Sequence, residues 1–123
     1  EKEAIDLAVS EVNGCAYCLA AHTALGKMAG FTEAETQELR ATTIADPRLN
    51  AITKLAAGIA QNRGRVADQL VQDFFAQGFD EKALIDLLSA VTAITFTNFT
   101  HNLTQVAVDF PAAQPLAELE VAA

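Results

Sequence analysis

Glu3-Ala4-Ile5-Asp6-Leu7-Ala8-Val9-Ser10-Glu11-Val12-Asn13-Gly14-Cys15-Ala16-Tyr17-Cys18-Leu19-Ala20-Ala21-His22 decides the fold. Before the Asn-Gly pair, Ile5, Ala8, Val9 and Val12 recur at helical spacing. After it, a second helical stretch begins at Cys15 and runs to about Ala29, where Gly30 stops it. Asn13-Gly14 therefore reads as the punctuation between two helices, either the C-cap of the first or the entry to the second.

Working outward, the same grammar repeats. Thr32 and Glu35 form a capping box that opens a third helix, with Phe31 placed as its staple, and that helix is expected to end near Ala45, before Asp46-Pro47. A fourth runs from about Arg48 to Gln61, with Leu49, Ile52, Leu55, Ala56 and Ile59 on one stripe. Asn62-Arg63-Gly64 breaks it, and a short fifth covers Ala67 to Gln77. Asp80 caps the longest helix, expected to reach about Asp109 before Phe110-Pro111. The tail beyond is read as coil with at most a short turn. Gly30-Phe31-Thr32-Glu33 and Gly78-Phe79-Asp80-Glu81 repeat one pattern of helix stop, staple, cap and acid. No strand-like alternation of useful length occurs, so residues 1–123 read as a single all-α domain of about six helices.

Composition narrows the function classes. The 123 residues are 51% hydrophobic, enough for one core without a disulfide or metal. A net charge of −8 argues against binding nucleic acid, because counterion release needs clustered Lys and Arg. No run of about 18 consecutive apolar residues marks a membrane span. The expectation is a cytoplasmic protein with neither nucleic-acid nor membrane partners. The abundance of Ala and the modest charge content hint at apolar surface buried between subunits.

The chemistry is concentrated before residue 23. Cys15, Cys18 and His22 share one helical face, and a Cys-x-x-Cys pair at a helix start has the positive end of the dipole to stabilise a thiolate. His22, one turn beyond Cys18, can exchange a proton or pair with that thiolate. Glu3 is the candidate to orient it. In one continuous helix the two would lie roughly 28 Å apart, so their contact requires a hairpin folded at Asn13-Gly14. Glu11 is the competing carboxylate. Other readings stand beside this one: an inert Cys-x-x-Cys, or a zinc site using Cys15, Cys18 and His22 with His101 as the fourth ligand. His101 itself reads as a packing or interface histidine.

Glu3, Ala8-Val9-Ser10 and Asn13-Gly14-Cys15-Ala16-Tyr17-Cys18-Leu19-Ala20-Ala21-His22 together resemble the signature of the alkylhydroperoxidase D-like family, within the carboxymuconolactone decarboxylase superfamily. The later Gly-Phe-Asp-Glu opening and the Asn98-Phe99-Thr100-His101-Asn102 segment resemble the superfamily more loosely. The resemblance implies an all-helical homotrimer or homohexamer acting as a thiol-dependent hydroperoxide reductase. Cys18 would be the peroxidatic cysteine, Cys15 the resolving one, and His22 with Glu3 the proton relay. No cofactor is implied beyond an external dithiol reductant such as a lipoyl-bearing protein. Tyr17 departs from the pattern, standing where the best-studied members carry a His, and is carried as a relay or site-lining residue. The alternatives are a disulfide-exchange or redox-sensing partner protein without useful peroxidase activity, and a non-redox enzyme or scaffold that inherited the fold.

Overall fold

The computed structural model describes residues 1–117. Among the described residues six helices follow one another: α1 (Lys2–Asn13), α2 (Ala16–Met28), α3 (Glu33–Ala41), α4 (Pro47–Asn62), α5 (Asp68–Ala76) and α6 (Glu81–Thr104). Among the described residues there is no strand, so the all-α expectation stands.

The helix ends follow local chemistry. Thr32 Oγ1 accepts from Glu35 N at 3.1 Å while Glu35 Oε2 accepts from Thr32 N at 2.8 Å, completing the capping box of α3. At the repeated pattern, Asp80 Oδ1 accepts from Ala83 N at 2.8 Å and opens α6. Two ends come earlier than the sequence suggests. α3 stops at Ala41, because Thr42 turns left-handed (φ 58), and α6 stops at Thr104, because Gln105 does the same (φ 51). Asp46-Pro47, read as a stop, is instead the start of α4: Asp46 Oδ1 accepts from Leu49 N at 3.0 Å and Pro47 takes the first turn, where no N–H is missed.

α1 is the central element, packed against α2, α3, α4 and α6. Every residue from Ala4 to Ser10 is buried, as expected for a helix enclosed on all sides. One apolar cluster joins Ile5 and Val9 of α1 to Ile52 and Leu55 of α4, Phe74 of α5, and Leu87, Val91 and Ile94 of α6. A second joins Ala4 and Leu7 to Leu39 and Ile44. Each fully buried Leu, Ile or Phe contributes about 1.5–3 kcal/mol, so α1 is held from both sides.

The inner row of α6 continues Leu87, Val91 and Ile94 with Asn98, which is completely buried. Asn98 accepts from Asn13 Nδ2 at 3.0 Å and donates to Ser10 Oγ at 2.9 Å. Asn102 Nδ2 donates to the Asn13 carbonyl at 3.1 Å. These bonds fix the C-terminal third of α6 against the end of α1. The outer row of the same helix exposes Ile85, Leu88, Phe96, Phe99 and Leu103. By length and composition alone α6 could cross a membrane, but its inner face is committed to α1 and α4.

Candidate active site

The site is built on the turn between α1 and α2. Gly14 adopts φ 63, a left-handed conformation that costs glycine little, and its N–H bonds to the Glu11 carbonyl while Cys15 N reaches Ser10 O at 3.2 Å. The Asn-Gly pair is thus a C-cap, and it folds α1 and α2 into a hairpin. Cys15 takes the N-cap position of α2 in extended conformation, and its Sγ accepts the backbone N–H of Cys18 at 3.2 Å. Cys15 and Cys18 are joined as a disulfide, with Cα atoms 5.3 Å apart. Both cysteines are buried, Cys15 at 0% and Cys18 at 3% exposure.

The hairpin also brings Glu3 to His22, as their contact required. His22 Nδ1 lies 2.7 Å from Glu3 Oε2 and 3.5 Å from Asp6 Oδ2. A carboxylate only accepts, so Nδ1 carries the hydrogen and Nε2 is left as the basic nitrogen. Lys2 Nζ donates to Asp6 Oδ2 at 2.5 Å, and that bond, opposed by partial loss of hydration, pushes the Lys2 ammonium above its ordinary range. Glu11, the competing carboxylate, is committed elsewhere: it accepts from Arg40 Nε at 3.0 Å, and Arg40 Nη1 donates to the Gln114 carbonyl at 2.8 Å. A hollow of about 240 Å³ opens beside His22, walled by Lys2, Asp6, Ala90, Ala93, Ile94 and Thr97.

No hydrogen bond joins His22 to either sulfur among the described residues. The imidazole within reach of sulfur is that of His101, whose Nδ1 lies 3.6 Å from Cys18 Sγ and 2.7 Å from the Thr97 carbonyl. Reading His101 as a packing residue therefore missed its place beside the Cys18 sulfur. The ring lies flat on Tyr17, centroids 4.4 Å apart and planes 6° from parallel, and Phe110 meets Tyr17 edge-on at 5.9 Å. Tyr17 thus lines the site and supports His101. Its hydroxyl pKa lies above the ordinary value, first through loss of hydration and then through the Asp109 carboxylate beside it. The available signal for His101 was its spacing: Asn98, His101 and Asn102 fall at helical spacing near the end of α6.

The four-ligand zinc set does not assemble. His22 clusters with Glu3 and Asp6, while Cys15, Cys18 and His101 converge within 4.8 Å of one another, one donor short of a closed tetrahedral site.

The family model described as carboxymuconolactone decarboxylase family matches residues 1–61, which hold α1, α2, α3 and nearly all of α4 together with Glu3, Cys15, Cys18 and His22. The chain belongs to the carboxymuconolactone decarboxylase family. A solved structure, the apo crystal structure of the debrominase Bmp8, is similar in fold at a TM-score of 0.74 and 15% identity, over 88% of this chain and 59% of that one. This chain thus spans well under two thirds of that structure's length, and the likeness concerns the fold alone. No curated protein matches. Within the family framework, His101 and the inner row of α6 lie beyond the matched residues, so the site joins a family-matched hairpin to a helix outside it.

Proposed function

We propose that the chain is a thiol-dependent hydroperoxide reductase cycling Cys15 and Cys18 between dithiol and disulfide. The observation that carries this reading is the Cys15–Cys18 pairing at the N-terminus of α2, beside the His101 imidazole. In the cycle, the Cys18 thiolate attacks one oxygen of the peroxide; the O–O bond breaks, leaving sulfenic acid on Cys18, and the departing alkoxide takes a proton to become an alcohol. Nε2 of His22, with Nδ1–H held by Glu3, is the group for that proton traffic. Cys15 then attacks the sulfenic sulfur, the S–S bond forms and water leaves. An external dithiol exchanges with the disulfide, restoring both thiols while becoming a disulfide itself. The scant exposure of both sulfurs suits a slender reductant such as a lipoyl arm better than a broad protein surface.

The same reading makes the protein a homo-oligomer, a trimer or hexamer. Ile85, Leu88, Phe96, Phe99 and Leu103 form an exposed apolar row along α6, the kind of surface that soluble chains cover with a partner.

The test is steady-state peroxide consumption with a dithiol reductant, comparing the parent with Cys18→Ser. Turnover lost in the variant supports the reading. A parent peroxide rate no better than that of a free thiol, with rapid exchange against a protein dithiol, would select the disulfide-exchange alternative.

A further inference from the structure

Resting on the peroxidase reading, we infer that His101, and not His22, is the residue that holds the negative charge on Cys18. It does so as a fixed hydrogen-bond donor rather than as a base. His101 Nδ1 lies 2.7 Å from the Thr97 carbonyl, and a carbonyl oxygen can only accept. Nδ1 therefore carries the hydrogen, so it cannot take the Cys18 proton. What it offers Cys18 Sγ, 3.6 Å away, is an N–H shared with Thr97. A donor shared with the sulfur favours the thiolate over the thiol.

Three contacts hold the donor in place. Tyr17 stacks on the imidazole from the peptide between the two cysteines, Thr97 fixes the ring nitrogen from the preceding turn, and Asn98 locks that turn to Ser10 and Asn13. The Cys18 sulfur is nearly enclosed at 3% exposure, where water supplies little competing solvation and one donor counts for more. His22 has no such access. Its Nδ1 is committed to Glu3 and lies near Asp6, and neither of its nitrogens bonds a sulfur among the described residues.

The remaining charged or titratable neighbours are placed differently. On α2, Cys15 receives the Cys18 backbone N–H, and Tyr17 is held protonated beside Asp109 of the tail. On α1, Glu11 is neutralised by Arg40 of α3, and Glu3 and Asp6 face His22. The labour divides accordingly: His101 stabilises the nucleophile, and His22 with Glu3 serves the leaving oxygen.

The test needs no peroxide. In a Cys15→Ser background, so that Cys18 is the sole thiol, the rate of iodoacetamide alkylation is followed against pH. Adding His101→Ala should move the profile to higher pH by about one unit, a roughly tenfold slower reaction at neutral pH. His101→Asn places an amide N–H where Nδ1 stood and should recover most of that shift. His22→Ala should leave the profile on the parent curve. The inference is overturned if His101→Ala overlays the parent, if His22→Ala gives the larger shift, or if His101→Asn fails to recover with its melting temperature unchanged. Because alkylation is independent of peroxide, a protein without peroxide turnover can still show the His101 shift. Conversely, intact turnover with no shift overturns only the His101 assignment.

Discussion

The two histidines of this chain have opposite surroundings. His22 lies against two carboxylates on the neighbouring helix, with Nε2 free to exchange a proton. His101 faces a carbonyl, a sulfur and a stacked phenol, with Nδ1 committed as a donor. The first environment suits proton transfer and the second suits holding charge on sulfur. The same side chain is assigned its task by which acceptor fixes its tautomer.

The largest effect should come from removing the sulfur on which the proposed cycle turns. Cys18→Ser is expected to reduce peroxide turnover to the background rate, measured with excess dithiol reductant; appreciable turnover in that variant would end the comparison by removing its shared target. Next is the His22 side. Glu3→Gln loses the carboxylate that holds Nδ1–H, and turnover should fall about 100-fold, the usual scale of a general acid-base group. The Cys18 alkylation profile should stay put in that variant. A profile that moves would show that the two imidazoles do not act separately.

The support for His101 can be broken indirectly. Asn98→Ala leaves Ser10 and Asn13 without their buried partner and should cost about 2–3 kcal/mol of stability in urea unfolding, while loosening the turn that carries His101. A neutral effect would mean that α6 is positioned by its apolar row alone. The smallest effect concerns Tyr17. Because its pKa is raised in the folded state, the neutral phenol contributes stability below the unfolded value of about 10, and that contribution is lost as pH rises through the folded value. The stability gap between parent and Tyr17→Phe should therefore narrow above about pH 10 in a pH series of thermal melts; a gap that widens there would contradict the assigned direction.

How much of this was legible follows from chain separation. The Glu3–His22 contact could be reasoned from sequence because one turn, Asn13-Gly14, sets it, and the left-handed Gly14 makes that turn. Two helix starts were legible for the same local reason, since Thr32 and Asp80 cap with their own side chains, whereas the Asp46 cap was hidden behind a Pro47 read as a stop. Helix ends at Thr42 and Gln105 were not, because non-glycine residues in left-handed conformation carry no strong sequence mark. His101 meets Cys18 across 83 positions, through packing of α6 on α1 that no local rule specifies. Its neighbours Asn98 and Asn102 were visible at helical spacing, but their partners were not.

The most direct test of the central claim is the thiol count of reduced protein after one equivalent of cumene hydroperoxide. The peroxidase account predicts rapid loss of both thiols in the parent, and in Cys15→Ser a trappable sulfenic acid on Cys18. Thiols that survive for hours in the parent would contradict it.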